Sequence, residues 1–211
     1  MADILQQMQK DLYSGNVDEV KAATQKALDE GMQAQDILSG GLIAGMDEVG
    51  KDFKAGELFI PEVLLSARAM HAGLAVLRPL LAEAGAPSLG KMVVGTVAGD
   101  LHDIGKNLVG MMLEGAGFEI IDLGTDVSPA QFVEAVRAEG ADFVGMSALL
   151  TTTMPSMKDT IDALTEAGLR DKVTVLVGGA PVTAGFARDI GADAYAPDAA
   201  SAVDTARSFM A

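Results

Sequence analysis

The sequence contains no cysteine and no tryptophan, and it has few aromatic residues of any kind. Without cysteine, the chain can form neither a disulfide nor a thiolate metal site. Positive charge is also scarce: 15 Lys and Arg stand against 30 Asp and Glu, which gives a formal net charge of −15. Because phosphate binding depends on Lys and Arg, we expect no nucleic-acid partner and no anionic membrane surface as partner.

Targeting and membrane signals are also missing from the sequence pattern. Residues 1–7 lack the basic and apolar regions of a signal peptide, and no apolar stretch is expected to reach membrane-spanning length. We therefore expect a protein of the cytoplasm without a membrane partner.

The first 84 residues carry apolar side chains at helical spacing only. Breaks near Gly15, Gly31 and Gly56 divide this part into four segments. Asn16 is predicted to cap the second helix, and Pro61 to open the fourth. Four helices with short connections predict a small bundle.

The stretch 82–90 is rich in alanine and glycine and is predicted to be a linker, beyond which the pattern changes. Short β-branched runs alternate with helical segments, and Ser128, Thr152 and Asp198 are predicted to start three of those helices. The runs lie near 91–97, 118–123, 142–147, 173–177 and 193–195. Such alternation predicts a flavodoxin-like (Rossmann-type), doubly wound, parallel five-stranded sheet.

The segment Asp-Leu-His-Asp-Ile-Gly, residues 100–105, follows the first of these strands and precedes a helix. It places His102, one of two histidines, on a loop at a strand's carboxyl end, where open α/β sheets bind ligands. A carboxylate two residues earlier is well suited to orienting a metal-ligating imidazole. Taken alone, the segment fits an ordinary polar surface loop equally well.

Two further strand ends favour a ligand site at the same edge. The third strand is followed by hydroxyl groups between Ser147 and Thr153, and the fourth by the pair Gly178-Gly179. Glycines allow a ligand to approach the backbone closely. A large ligand across neighbouring strand ends explains the three features together, and neither a Walker A motif nor a Gly-x-Ser-x-Gly elbow is present.

The stretch 99–107, Gly-Asp-Leu-His-Asp-Ile-Gly-Lys-Asn, together with residues 147–149 and 178–179, resembles the cobalamin-binding domain of methyl-transferring corrinoid proteins. Residues 53–63 resemble the start of the last helix in the cap of that family. The resemblance covers nearly the whole chain and extends to the matching region of cobalamin-dependent methionine synthase. It implies a helical cap domain over 1–88 and a cobalamin-binding Rossmann-like domain over 89–211.

The resemblance also implies a role for individual residues. His102 would be the lower ligand of cobalt, with Asp100 and Thr153 continuing a relay behind it. Ser147 would bond the displaced nucleotide tail, while Phe59 and Met70 of the cap would approach the reactive face. The remaining implied cofactor contacts are Gly99, Leu101, Asp103, Ile104, Gly105, Leu149, Thr151, Gly178, Gly179 and Ala199.

By the same resemblance, the chain would carry a methyl group on cobalt and would not be a complete enzyme alone. The cobalamin would cycle, base-off and His-on, between Co(I) and methyl-Co(III). Its partners would be a donor-specific methyltransferase, an acceptor methyltransferase acting on tetrahydrofolate or a thiol, and a reductive activase. The donor stays open among methanol, a methylamine, a betaine and a methoxyarene. A cobalamin-sensing regulator and a cobalamin-binding isomerase subunit are the alternatives.

Overall fold

A computed structural model describes residues 2–84 and 88–210, apart from the side chains of Ala2 and Ala82. The chain divides into two compact units, Met1–Pro87 with Gly115–Gly117, and Ser88–Glu114 with Phe118–Ala211. We call them the helical unit and the sheet unit. The domain boundary at 88/89 stays a prediction, and residues 85–87 of the predicted linker lie outside the described residues.

The helical unit confirms the four predicted helical segments and adds a π-helix to the third. The elements are α1 (Ala2–Tyr13), α2 (Val17–Asp29), α3 (Ala34–Ile37) continued by a π-helix (Leu38–Ile43) and α4 (Ala44–Ala55), and α5 (Ile60–Glu83). The π-helix lies against α1, where a Cβ on Gly41 would come within 2.6 Å of the Met8 sulfur. The Gln9 side chain donates to the Gly40 carbonyl at 2.6 Å. These contacts depend on tertiary packing, which periodicity does not reveal.

Two expectations about the helical unit are wrong. Asn16 occupies the N-cap position of α2 but makes no side-chain capping bond, and its amide points instead to Asp11 at 3.5 Å. The span Ile60–Leu81 of α5 is long and apolar enough to cross a membrane by composition, with a mean hydropathy of 1.3. Its apolar positions Val63, Met70 and Leu77 are fully or almost fully buried within the protein, as in the core helix of a bundle.

The sheet unit contains five described strands that form one parallel sheet in the order β2-β1-β3-β4-β5. The predicted doubly wound, flavodoxin-like arrangement is therefore confirmed. In chain order the elements are β1 (Lys91–Thr96), α6 (Ile104–Gly115), β2 (Glu119–Asp122), α7 (Pro129–Glu139), β3 (Phe143–Ser147), α8 (Pro155–Glu166), β4 (Thr174–Gly178), α9 (Ala184–Ile190), β5 (Ala194–Ala196) and α10 (Ala199–Ser208).

The sheet is covered on both faces, since every residue of β1 from Met92 to Thr96 is buried. Val93, Val144 and Val175 lie in the core that α7 and α8 cover on one face. Burial on both faces explains why the strands are continuous apolar runs rather than alternating ones.

Helix starts in the sheet unit follow the sequence signals at two of three predicted positions. Ser128 forms a complete capping box with Gln131 at the start of α7, and Asp198 accepts from the Ser201 amide at the start of α10. Thr152 does not start α8, which begins at Pro155 without a side-chain cap. The fixed φ of proline suits the first helical position and locates this helix start.

The strand order places the ends of β1 and β3 side by side, while the chain leaves them for opposite sides of the sheet. Thr96, Ser147 and Gly178 are successive register partners across β1, β3 and β4. The three loops that the sequence singled out therefore leave the same edge, at the topological switch point where such sheets bind ligands.

Candidate functional site

The loop from Val97 to Asp103 connects β1 to α6 and carries the central histidine. Gly99 adopts a left-handed conformation with φ of 82°, which turns the chain sharply beyond the strand. The buried Thr96 hydroxyl donates to the His102 carbonyl at 2.9 Å. The loop is thereby tied to the end of the strand from which it leaves.

Asp100 is fully buried at the centre of this site and accepts five hydrogen bonds. Oδ1 accepts from the His102 Nδ1 at 2.7 Å and the His102 amide at 3.1 Å. Oδ2 accepts from the Leu149 amide at 2.8 Å, the Leu150 amide at 3.2 Å and the Thr153 hydroxyl at 2.8 Å. The carboxylate thus joins the loop after β1 to the loop after β3.

These bonds keep Asp100 ionised. Burial alone raises its pKa, but the Leu149 amide, the His102 imidazole, the Thr153 hydroxyl and the His102 amide together outweigh it. They hold the pKa of Asp100 well below its usual range. An ionised carboxylate only accepts hydrogen bonds, so the Nδ1 of His102 must be the donor between them.

The tautomer of His102 follows from this assignment. With the proton on Nδ1, the neutral imidazole carries its lone pair on Nε2. The side chain is 51 % exposed, and Nε2 has no hydrogen-bond partner within the described residues. The site therefore presents one preoriented nitrogen ligand to the outside.

A single nitrogen ligand restricts the kind of metal centre that fits. Across residues 2–84 and 88–210, no group of three His, Asp or Glu side chains is arranged to hold a metal ion. Near the imidazole, the exposed apolar side chains are Leu101 on its own loop, Ile104 at the start of α6, and Leu149 and Leu150 beyond β3. One ligand with apolar surroundings suits a metal that brings its other ligands in a macrocycle, as cobalt does in a corrin.

Comparison with known proteins identifies that macrocycle. The B12 binding domain family matches residues 90–204, which is more than half of the chain, and a second family of the same description matches residues 4–78. The chain belongs to the B12-binding corrinoid proteins of methyltransferase systems. Its cofactor is cobalamin or a related corrinoid, as the sequence resemblance predicted.

Individual relatives match this corrinoid protein over nearly its whole length. A dimethylamine corrinoid protein of Methanosarcina barkeri is 47% identical over 99% of this chain and 98% of its own. A corrinoid protein of Desulfitobacterium hafniense is 45% identical over 98% of this chain and 97% of its own. The crystal structure of the methanol:cobalamin methyltransferase complex of Methanosarcina barkeri aligns with a TM-score of 0.88 and 31% identity, covering 99% of this chain and 80% of that one.

The predicted contacts with the nucleotide tail lie at the expected edge, although their binding role stays a prediction. Ser147 ends β3 between Thr96 and Gly178, and its hydroxyl has no hydrogen-bond partner among the described residues. Thr151 is exposed on the loop after β3. A half-buried, unpaired hydroxyl is suited to a ligand, which agrees with the role implied for Ser147.

Gly179 is required by the protein itself, in addition to any contact with a cofactor. Its φ is 127°, and a Cβ there would lie 1.9 Å from the Ala148 carbonyl oxygen. A Cβ on Gly178 would lie 3.1 Å from the Ala196 carbonyl oxygen. Gly179 therefore lets the loop after β4 pack against the loop that donates to Asp100, while Gly178 lies close to the backbone of β5.

The other implied contacts differ in accessibility. Gly99, Leu101, Asp103, Ile104 and Gly105 are all exposed on the His102 loop and the first turn of α6. The implied nucleotide contact Ala199 is buried at the start of α10, and its contact with a nucleotide stays a prediction. Phe59 is 66% exposed, whereas Met70 is 1% exposed in the core of the helical unit. Met70 is buried because it lies on the inner face of α5. Its contact with a corrin stays a prediction, and this burial does not favour it.

Sequence reasoning missed an ion pair beside the site, between a buried lysine and a half-exposed aspartate. Lys106 is almost fully buried, and its Nζ donates to both oxygens of Asp122 at 2.6 and 2.5 Å and to the Asn107 amide oxygen at 2.6 Å. The pair joins the first turn of α6 to the end of β2. A lysine in the first turn of a helix interacts unfavourably with the helix dipole. This position was the one sequence signal that Lys106 has an acidic partner.

Proposed function

We propose that this corrinoid protein carries a methyl group between a donor-specific methyltransferase and an acceptor methyltransferase, with the Nε2 of His102 as the protein ligand of cobalt. The observation that supports this proposal is the hydrogen bond between Asp100 and the Nδ1 of His102, which leaves the lone pair of Nε2 accessible. When bound, the corrinoid supplies a cobalt centre that accepts and releases methyl groups. The chain supplies the ligand, its orientation and the proton that it needs.

Asp100 and Thr153 are proposed to manage that proton. With a metal on Nε2, Asp100 would hold the Nδ1 proton; a free Nε2 would be open to a proton from solvent because the side chain is half exposed. Asp100 then faces an imidazolium and stabilises it as a counter-ion. Thr153 donates to the other carboxylate oxygen at 2.8 Å and helps to keep it ionised. The proton is therefore held on His102 and not on the carboxylate.

The partners are proposed from the relatives and from the resemblance. Relatives named for dimethylamine, and the structure named for methanol, make methylamines and methanol the donors to test first. We further propose an acceptor methyltransferase, a reductive activase and a location in the cytoplasm. Mixing the reduced holoprotein with each purified donor methyltransferase and its substrate should produce the spectrum of methylated cobalt with one pair. A regulator or isomerase subunit would produce it with none.

The ligand assignment is tested by electron paramagnetic resonance of the bound Co(II) form. In protein labelled with ¹⁵N-histidine, an axial protein imidazole splits the signal into doublets, whereas the unlabelled base of the cofactor gives triplets. We expect doublets in the wild type and in His71→Ala, which removes the other histidine. His102→Ala should lose them while keeping the cofactor. Doublets that persist in His102→Ala would refute the assignment.

A further inference from the structure

Asp126, on the loop between β2 and α7, contacts the His102 loop at two points. Its carboxylate accepts from the Gly99 amide at 2.7 Å. Its own amide donates to the Asp100 carbonyl oxygen at 3.0 Å. These bonds bracket the sharp turn at Gly99, directly before the residues that orient the imidazole.

The backbone conformation of Asp126 is unfavourable for a residue with a side chain. Its φ is 55°, and among the described residues it is the only non-glycine residue with positive φ. Glycine adopts this left-handed conformation freely, and among residues with a Cβ it is mainly Asp and Asn that adopt it, because their side chains can form hydrogen bonds nearby. Aspartate at this position indicates that its carboxylate serves a purpose, and the bond to Gly99 is the contact it makes.

The neighbouring bonds show what Asp126 acts upon. Beyond the turn, Asp100 fixes the imidazole through Oδ1, and Thr96 holds the His102 carbonyl. Those bonds fix the end of the loop, but the backbone of Gly99 is exposed and is held by Asp126. The Asp100 amide also donates to the Val97 carbonyl oxygen at 3.1 Å, so release of the Gly99 amide would loosen the turn without freeing the whole loop, and would shift the direction of the residues that follow it.

We infer that Asp126 is a positioning residue for His102, holding the loop in the conformation that directs Nε2 outward. The inference rests on the proposed function, because it concerns the ligand proposed there. Asp126 acts through the backbone of Gly99 and Asp100 and needs no contact with the cofactor.

The chain offers three informative substitutions at this position. Asp126→Asn keeps an acceptor oxygen and tolerates positive φ, Asp126→Gly keeps the backbone conformation without the acceptor, and Asp126→Ala loses the acceptor and adds strain. Asp142→Ala is the matched control. Its exposed carboxylate accepts from the Lys91 amide at 2.8 Å, an equivalent bond at the opposite edge of the sheet.

The measurement is the fraction of bound Co(II) cobalamin that shows ¹⁵N-histidine doublets at one fixed pH, in holoprotein saturated with cofactor. Loss of a charge-assisted hydrogen bond between exposed groups should lower the ratio of His-ligated to His-free cofactor by about threefold to tenfold. We expect that decrease in the Gly and Ala variants, recovery in Asp126→Asn and no change in Asp142→Ala.

A second measurement separates this inference from the ligand assignment. In the cofactor-free protein, hydrogen exchange at the Gly99 amide should accelerate in Asp126→Gly but not in Asp142→Ala. Doublets absent from the wild type would overturn the His102 assignment and this inference with it. Wild-type doublets with the same His-ligated fraction in Asp126→Gly would overturn the role of Asp126 alone, as would an equal decrease in Asp142→Ala.

Discussion

Replacing Asp100 by asparagine should reverse the tautomer of His102 while leaving the shape of the site intact. Three donors face Oδ2, namely the Leu149 and Leu150 amides and the Thr153 hydroxyl, so the amide oxygen of asparagine should occupy that place. Its NH₂ group then takes the place of Oδ1, where it faces the imidazole and loses the bond that Oδ1 accepts from the His102 amide at 3.1 Å. A donor opposite Nδ1 favours the tautomer with the proton on Nε2, which has no lone pair for a metal.

The magnitude follows from the bonds that change. The charge-assisted bond from Nδ1 to Oδ1, 2.7 Å long, contributes about 1.5–3 kcal/mol in favour of the wild-type tautomer. A neutral bond of about 1 kcal/mol would favour the opposite tautomer in the variant. Because His102 is half exposed, we take the lower end of the first value, and the two bonds together then give a change of about 2.5 kcal/mol, or roughly seventyfold in the tautomer ratio.

The assay is the pair of side-chain ¹⁵N shifts of His102 in cofactor-free protein labelled with ¹⁵N-histidine, at a pH where the ring is neutral. The wild type should show a protonated Nδ1 and an unprotonated Nε2, and Asp100→Asn the reverse. Thr153→Val is the control, because it removes one donor to Asp100 but keeps the charge that holds the Nδ1 proton. An Nε2 that stays unprotonated in Asp100→Asn would refute the reasoning.

Two further predictions follow from the same contacts. The lowered pKa of Asp100 means that its stabilisation is fully present above about pH 4, its unfolded pKa, and is lost as pH falls toward the folded value. The difference in unfolding free energy between wild type and Asp100→Asn, measured by urea titration of the cofactor-free protein, should shrink below about pH 4; a constant difference would contradict this. Gly179→Ala should destabilise by about 2–4 kcal/mol, since its Cβ would meet the Ala148 carbonyl, whereas Gly168→Ala, also at positive φ but with open space, should cost about 1 kcal/mol. The thermal unfolding midpoint of each variant measures its loss of stability. Equal decreases in the two variants would show that the positive φ, and not the contact with the Ala148 carbonyl, causes the loss.

The sheet was predictable because its evidence is local and repeated. Strands β1 and β4 are short runs rich in β-branched residues, and Ser128 and Asp198 mark helix starts with the residue types that cap well. The strand order could be predicted because a doubly wound fold is the simplest arrangement for five strand–helix alternations in a domain of this size. The start of α8 was missed because Thr152 looks like a cap, while the fixed φ of Pro155 locates the helix.

The contacts that complete the site join positions far apart in sequence, and local patterns do not report them. The pairs of Asp100 with Thr153, of Gly99 with Asp126 and of Lys106 with Asp122 each join different loops or elements. The motif around His102 could be recognised by resemblance, but the donors behind it depend on strand register. The backbone amides of Leu149 and Leu150 cannot be recognised as donors from the sequence, because every residue except proline has the same amide.

The arrangement explains why one histidine is sufficient for this site. Asp100 accepts hydrogen bonds from five donors, so the atom of this pair that is left to bind a ligand is the Nε2 of the half-exposed His102 ring. A ligand whose tautomer and direction are set beforehand loses little conformational entropy when it binds, and it returns to the same position after release. Because three of the five donors to Asp100 come from the loop after β3, any movement of that loop changes how firmly the Nδ1 proton is held. The strength of the proposed His102–cobalt bond is therefore set by the packing of neighbouring strand ends as well as by the histidine itself.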